Sequence, residues 1–165
     1  MAGSLELISR TTLSTTAASV TFSGIASTYQ DLRIVIVGTT GVALNPRIQF
    51  NSDTGTNYSY TYLKGDGANA ASGRGNTTVG LLTIGNMDTT LPTMVTVDVF
   101  NYAGSIYKTV LSSYALDKNA TDGSGNVGRN VVMWRNTAAV TSVTFDTGGS
   151  TFKAGTTISL FGVKG

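Results

Sequence analysis

The glycine-rich segment Gly123-Ser-Gly-Asn-Val-Gly128 matches the spacing of the loop that binds the pyrophosphate of dinucleotides. In that loop a strand enters and a helix leaves, so that the amides and dipole of the helix N-terminus meet the phosphates. Here residues 118–128 have the composition of a loop, and residues 130–135 alternate as a strand. The match therefore predicts no phosphate site, and we expect the protein to use no cofactor.

Residues 51–57 place oxygen-bearing side chains at alternate positions, as a calcium-binding loop does. An EF-hand loop has glycine at its sixth position and glutamate at its twelfth, whereas here Gly55 is fifth and no glutamate follows. Asn, Asp and Gly also favour tight turns, because they accept positive φ or bond their own backbone. We therefore predict a turn here and no metal site.

Paired carboxylates could hydrolyse a glycoside, but most of the nine acidic residues lie in turn-like sequence. Asp98 lies inside a predicted strand, and together with Asn101 or Lys108 it is one candidate catalytic site. The alternative is that Asp98 is a solvated residue on the face of a sheet. The chain has no His and no Cys, so a serine nucleophile would have only a lysine or a carboxylate as its base. We expect no catalytic residue and no enzyme activity.

Tyr58, Tyr60 and Tyr62 alternate with smaller residues, so their rings share one face of a predicted strand. One hypothesis is a platform on which sugars or a protein partner stack. The alternative is that the rings cover part of the core while their hydroxyls reach the sheet edge. Tyr58 and Tyr60 are the candidate contact residues of the first hypothesis.

These tyrosines belong to residues 47–63, whose pattern the rest of the chain repeats. Ile48 and Phe50 alternate with polar residues as a strand with one buried face. The turn at 51–57 separates them from the tyrosine strand at 58–63, which predicts a β-hairpin.

Similar alternation elsewhere predicts about ten strands with turn signals between them, and no stretch sustains helical spacing over three turns. Residues 32–37 are almost continuously apolar, which predicts a strand covered on both faces. Residues 64–77 and 118–128 are glycine-rich and predict exposed loops. The fold class is therefore all-β, an antiparallel β-sandwich, and the long loops and a central C-terminal strand favour a jelly roll. The other predicted strands are 5–13, 19–24, 78–84, 93–102, 106–116, 130–135, 140–145 and 157–163.

The first 17 residues predict an N-terminal strand or arm, followed by a single β-sandwich domain at 18–165. If residues 1–17 reach another copy of the chain, Leu5, Leu7 and Ile8 are the expected contacts, and an ordinary edge strand is the alternative.

Ser19-Val-Thr-Phe22 recurs as Ser142-Val-Thr-Phe145, and a Ser-Thr-aromatic triplet and an apolar strand follow each copy. The repetition predicts two similar strand pairs on opposite sides of a sandwich, and chance similarity is the alternative.

The composition of the chain indicates which classes of binding partner to expect. Charged residues make up 12% of the chain, the formal net charge is +2 and no run of Lys or Arg occurs, so we expect no nucleic-acid partner. No apolar run approaches the length of a membrane span, and no signal peptide is visible, so we expect no membrane partner and synthesis in a cytoplasm.

Four phrases of the chain resemble a signature of small virion proteins of tailed bacteriophages, and the resemblance covers residues 18–165. The phrases are residues 48–60, 62–67, 133–143 and 152–163. The resemblance implies a jelly-roll module and no shared catalytic motif.

The resemblance implies a non-enzymatic structural protein located in the virion and assembled with its own copies, as a homotrimer. The first expectation is a capsid decoration or cement protein that binds the major capsid protein or other virion proteins on the outer head surface. The alternative is a tail-fibre or baseplate module that binds host surface glycans through Tyr58, Tyr60 or the glycine-rich loops. A carbohydrate-active enzyme that uses Asp98 is a third hypothesis.

Overall fold

The computed structural model describes residues 4–78, 82, 83, 85–118 and 125–165, and it forms twelve strands in them. The strands are β1 (Ser4–Thr12), β2 (Ser19–Ser23), β3 (Asp31–Gly38), β4 (Arg47–Phe50), β5 (Tyr58–Gly65), β6 (Ala70–Thr78), β7 (Leu82–Thr83), β8 (Thr93–Phe100), β9 (Lys108–Asp117), β10 (Gly125–Trp134), β11 (Ser142–Asp146) and β12 (Thr157–Lys164). Within these ranges no helix is long and apolar enough to cross a membrane.

The strands form two sheets, and every pairing between them is antiparallel. The larger sheet has eight strands in the order β1-β12-β3-β8-β9-β10-β5-β6, and the smaller has four in the order β2-β11-β4-β7. The all-β antiparallel sandwich that the alternation predicts is confirmed.

The strand connectivity is that of a jelly roll with two inserted hairpins. When β5–β6 and β9–β10 are set aside, eight strands remain, and they pair first with eighth, second with seventh, third with sixth and fourth with fifth. The two hairpins then widen the larger sheet beside β8. The C-terminal strand β12 lies between β1 and β3, so it is an interior strand although not the central one.

The core lies between the two sheets and follows from the alternation along each strand. Ile34 and Ile36 of β3, Val97 of β8 and Phe145 of β11 are fully buried, and each contributes about 1.5–3 kcal/mol by leaving water. Trp134 of β10 is also fully buried and belongs to this core.

Residues 47–63 do not form the predicted hairpin. β4 pairs with β11 and β7 in the smaller sheet, whereas β5 pairs with β10 and β6 in the larger sheet. Asn51 and Ser52 have φ of 50° and 55°, so the predicted turn is present, but it directs the chain across the core from one sheet to the other. Trp134 is then enclosed from both sides, with ring centroids 5.4 Å from Phe50 and 6.4 Å from Tyr58.

The loop predicted at 64–77 is mostly strand. β5 continues to Gly65, and β6 begins at Ala70 after a tight turn in which the Asp66 carboxylate accepts the amide of Ala68 at 2.9 Å. Small residues in β6 suggested a loop, but antiparallel pairing with β5 uses their backbone groups.

Other predicted boundaries also shift. Of the loop predicted at 118–128, Gly125 to Gly128 belong to β10, and residues 119–124 lie outside the described residues. Of the strand predicted at 78–84, Thr78 ends β6 and residues 82–83 form β7, while 79–81 and 84 lie outside the described residues.

The prediction that β3 is covered on both faces is wrong. Leu32, Ile34 and Ile36 are fully buried against the core, but Arg33 and Val37 are exposed on the opposite face. We call the face of the eight-stranded sheet that points away from the smaller sheet the outer face. Its exposure means that apolar residues there contact water and not a second layer.

The repeated segments lie side by side and not on opposite sides of the sandwich. Ser19–Ser23 pairs with Ser142–Asp146, and the two equivalent threonines, Thr21 and Thr144, face each other with their hydroxyls 2.9 Å apart. β3 pairs in the same way with β12. The two copies therefore form neighbouring strand pairs around a local two-fold axis.

The N-terminal segment forms an edge strand. β1 pairs with β12 from Ser4 to Thr12, and its register shifts between Leu7 and Ser9. Leu5 and Leu7 remain on the exposed outer face, whereas Ile8 packs against the core. Ile8 is therefore less exposed than Leu5 and Leu7, because it follows Leu7 on the strand and points to the opposite face; its role as a contact residue stays a prediction.

A fully buried lysine fixes the loops at one end of the sandwich. Lys108 Nζ donates to the carbonyl oxygens of Gly104, Ile106 and Thr137 at 2.6, 2.5 and 3.4 Å. Burial lowers the pKa of Lys108, while three acceptors match the three protons of its ammonium group. The side chain thus joins the β8–β9 turn to the segment before β11.

Replacing Lys108 with methionine tests this role. We expect Lys108→Met to lower the free energy of unfolding by about 2 kcal/mol or more, because three carbonyl oxygens lose the donor that joins their loops while the apolar stem is kept. Urea denaturation of both proteins measures the difference. Lys164→Met is the control, because its ion pair with Glu6 is largely exposed and should add little. Equal effects of the two substitutions would contradict the role of Lys108.

Candidate functional site

The inner face of the inserted hairpins is only partly covered by the smaller sheet. Along β5, Tyr58 is fully buried, whereas Tyr60, Tyr62 and Lys64 on the same face are only half-buried. A cleft of about 220 Å³ opens here, and we call it the tyrosine cleft. Its described lining residues are Asn45, Tyr60, Tyr62, Lys64, Gly85, Tyr114 and Asn130.

Two glycines of β6 position the tyrosines of β5. Tyr60 lies opposite Gly75 and Tyr62 opposite Gly73 in the β5–β6 pairing. A Cβ atom at Gly75 would lie 2.5 Å from Tyr60 Cε1, and one at Gly73 would lie 2.7 Å from Tyr62 Cε1. Only glycine therefore lets each ring lie across the neighbouring strand.

The two rings form a continuous aromatic surface. The centroids of Tyr60 and Tyr62 are 6.3 Å apart with an angle of 24° between the ring planes, so the rings lie nearly parallel. Because one side of each ring rests on β6, the other side is available to line the cleft.

A third tyrosine forms the deeper part of the cleft in the same way. The ring of Tyr114 on β9 covers Gly128 of β10, where a Cβ atom would overlap the phenol. Tyr114 is almost fully buried, and burial raises the pKa of its hydroxyl, with a smaller contribution from nearby Tyr62. The phenol therefore remains protonated and can donate a hydrogen bond.

The polar lining residues are mostly neutral. Asn130 on β10 is almost fully buried, and its Nδ2 donates to Ser112 Oγ at 3.0 Å, which fixes the orientation of the amide. Asn45 adds a second amide and Lys64 adds an ammonium group, and the described lining contains no carboxylate. The cleft can therefore offer hydrogen bonds and ring faces but has no acid–base pair of its own.

The structure separates the two tyrosines that the sequence proposes as contacts. Tyr58 is a core residue: its hydroxyl accepts the Phe50 amide at 3.1 Å, and burial raises its pKa to about 12. Its prediction as a contact residue is wrong for this chain, because the cross-over turn places it beneath the smaller sheet. Tyr60 does line the cleft.

Tyr62 belongs to the predicted tyrosine platform and does line the cleft, whereas Tyr114 and Asn130 are site residues that the sequence analysis did not single out. One signal was present in the sequence. Gly73 and Gly75 alternate at the same period as Tyr60 and Tyr62, as expected where rings of one strand cover glycines of the next. No local signal indicated that β9 and β10 lie beside them.

The acidic candidate does not form a site. Asp98 binds Arg33 through two hydrogen bonds of 2.6 and 3.0 Å on the outer face, whereas Lys108 is buried on the inner face. The backbone amide of Asn101 donates to Asp31, at 2.7 Å. The three predicted residues therefore do not converge.

The calcium-like turn is explained by its own hydrogen bonds. Asp53 accepts from the amide of Gly55 at 2.8 Å, from Asn57 Nδ2 at 2.9 Å and from Trp134 Nε1 at 2.7 Å. These contacts lower the pKa of the Asp53 carboxyl group against the opposing effect of burial. Among the residues that the structure describes, no group of three potential metal ligands comes together.

Two Ser-x-x-Lys spacings that the sequence analysis overlooked also form no catalytic pair. In Ser105–Lys108 the lysine binds three carbonyl oxygens, and in Ser150–Lys153 the lysine Nζ donates to the carbonyl of Thr89 at 2.7 Å. Ser150 Oγ instead accepts the amide of Val42 at 3.2 Å.

Comparison with known proteins adds little to the site. No protein-family model matches the chain, and no curated protein matches it in sequence. In structure it is similar to the galectin LEC-6 of Caenorhabditis elegans, at 8% identity and a TM-score of 0.37 over 94% of this chain and 96% of the galectin. It is also similar to the CBM2 module of the evolved Dit of Lactobacillus casei BL23 phage J-1, at 7% identity and a TM-score of 0.16 over 89% and 69% of the two chains. At such TM-scores neither similarity supports a functional argument.

Alanine substitutions distinguish the core tyrosine from the cleft tyrosine. We expect Tyr58→Ala to lower the free energy of unfolding by about 3–5 kcal/mol, because it leaves a cavity beside Trp134 and removes the partner of Phe50. Tyr62→Ala should cost much less, because its ring is half-exposed. Thermal and urea denaturation measure both values, and a larger loss for Tyr62→Ala would contradict the assignment of the two residues.

Proposed function

We propose that the chain is a non-enzymatic glycan-binding module of a tailed-bacteriophage particle, located on a tail fibre or baseplate, and that the tyrosine cleft is its saccharide site. The observation that supports the proposal is the pair of Tyr60 and Tyr62 rings held flat over Gly75 and Gly73. The phage assignment itself is supported by the sequence resemblance.

The chemistry of a sugar matches this surface. The face of a pyranose presents C–H groups with a small positive charge, and the face of an aromatic ring is negative. A ring fixed against the sheet loses little conformational freedom on binding, so less of the interaction energy is spent on ordering the site.

The polar lining residues match the rim of the sugar. Hydroxyl groups both donate and accept hydrogen bonds, and so do the amides of Asn45 and Asn130. Because the described lining has no carboxylate, we propose binding without hydrolysis.

Because the cleft is small, we expect one copy of the protein to bind a single sugar with low affinity. A volume near 220 Å³ is smaller than a typical drug-sized pocket of about 300–1,000 Å³. Several copies on one particle would raise the overall avidity if they engage a repeating polysaccharide together.

Glycan binding can be tested with the purified protein on an array of bacterial surface polysaccharides, followed by titration of the best ligand. We expect Tyr60→Ala and Tyr62→Ala each to weaken binding at least tenfold. Gly73→Ala should also weaken it, because the new methyl group displaces the Tyr62 ring while keeping the phenol.

Gly65→Ala is the matched control, because a Cβ atom there would lie 3.8 Å from its nearest neighbour and should leave binding unchanged. A wild-type protein that binds no polysaccharide, or cleft variants that bind like wild type, would overturn the proposed function.

The exposed apolar side chains of the outer face favour a second candidate function, which is capsid decoration. Nine large apolar side chains are exposed there, on β1, β3, β5, β8 and β10, and antiparallel register places them on one face. They are Leu5, Leu7, Val37, Leu63, Met94, Phe100, Val127, Val131 and Met133. Exposed apolar surface of this extent is typical of protein interfaces. Its proposed partners are other copies of this chain, as a trimer, and the major capsid protein.

A charge on this face should prevent such contacts. We expect Val131→Lys to reduce self-association in analytical ultracentrifugation and co-sedimentation with capsids, with little change in thermal stability, because Val131 is 50% exposed. Val42→Lys places the same charge on an exposed residue of the loop between β3 and β4, which is not one of the nine outer-face residues, and should have no effect. Unchanged association of Val131→Lys would exclude this face as the contact.

A further inference from the structure

We propose that the tyrosine cleft selects an anionic saccharide unit and that Lys64 is the residue that determines this specificity; the inference rests on the proposed glycan-binding function. Lys64 is the charged residue among the described lining residues of the cleft. A uronic acid or a sugar phosphate would supply the matching carboxylate or phosphate group.

Lys64 is available to a ligand. The ion pairs of the described residues involve Arg33, Arg47, Lys118 and Lys164, and Lys64 has no acidic partner among them. Strongly hydrated ammonium groups on flexible stems bind phosphate and carboxylate as point charges.

The nearest acidic residue along the hairpin is already used by the backbone. Asp66 accepts the amides of Ala68 and Asn69 at 2.9 and 2.6 Å, and these bonds hold the pKa of its carboxyl group below the usual value. Asp66 therefore closes the β5–β6 turn and does not neutralise Lys64.

The position of Lys64 suits a charge carried by a sugar that stacks on Tyr62. Lys64 and Tyr62 are two residues apart on one face of β5, which is about 7 Å along a strand and close to the length of one sugar unit. Across the strand Lys64 lies opposite Gly128, which the Tyr114 phenol covers, so Lys64 and this phenol lie at the same end of the cleft. An anionic group at the edge of the stacked ring can then reach the ammonium.

The absence of a carboxylate from the described lining adds to this selectivity. A neutral sugar would use the rings and the amides alone, whereas an anionic sugar would add a charge-assisted hydrogen bond. The anion would also meet no negative charge in that lining, so attraction is not offset by repulsion there.

The test compares three probes at two salt concentrations: polygalacturonate, a poly(glycerol phosphate) teichoic acid with sugar substituents, and a neutral galactan. We expect the wild-type protein to bind at least one anionic probe about tenfold or more tightly than the galactan. Lys64→Gln should remove that difference while keeping galactan binding, and Lys64→Arg should largely keep it. Tyr62→Ala should weaken binding to every probe.

Lys164→Gln is the control for net charge, because it removes one positive charge from β12, outside the described lining of the cleft. Preference for the carboxylate or for the phosphate probe identifies the source of the anion, and either supports the inference. Three results would overturn the inference without affecting the proposed glycan binding. The first is equal binding of the galactan and the anionic probes, and the second is an equal loss of affinity in Lys64→Gln and Lys164→Gln. The third is a Lys64→Gln protein that also loses affinity for the galactan. Failure of the wild-type protein to bind any of the three probes would overturn the inference, and failure on the polysaccharide array as well would overturn the proposed function.

Discussion

The difference in width between the two sheets is the constraint on which the rest of the molecule depends. Four pairings of a jelly roll build a core that both sheets cover, but the inserted hairpins widen only the larger sheet. The smaller sheet cannot bury every inner position of strands that extend beyond it. Along β10 the inner residues accordingly change from Trp134 and Val132, both fully buried, to Asn130, Gly128 and Asn126. The cleft is the consequence of this change in composition along single strands.

Glycine and tyrosine act together in the exposed part of the inner face. A glycine inside a strand weakens it, because it has no side chain to pack and loses more backbone entropy on folding. Where the ring of a neighbouring strand covers the glycine, the sheet regains apolar contact and the ring loses its freedom to move. This happens at Gly73 and Gly75 with the tyrosines of β5, and at Gly128 with Tyr114. The same contacts that stabilise the extended sheet therefore also orient the aromatic surface.

The local sequence was sufficient to predict the strands and turns but not to predict which strands pair with each other. The turn at Asn51–Asn57 was predicted from residues that accept positive φ, and it is present. The same residues serve a hairpin or a crossing between sheets, because the local pattern does not show which strand lies beside each arm. Likewise, the glycines of β6 suggested a loop, because the rings that cover them come from another strand. Only part of the cleft could therefore be predicted. The local pattern indicated Tyr60 as a contact residue, whereas Tyr114 and Asn130 join the site through long-range strand pairing.

The two faces of the inserted hairpins offer different chemistry, so that glycan binding and contact between copies would use different surfaces. Successive residues of a strand point to opposite sides, so Tyr62 and Leu63 are neighbours in sequence but belong to the cleft and to the outer face. On β10 the same alternation gives Asn130 to the cleft and Val131 to the outer face. Contact between copies through the outer face would leave every cleft open on the side away from the interface. Glycan binding and assembly would then not compete for the same surface, and assembly would present several clefts to one polysaccharide at once.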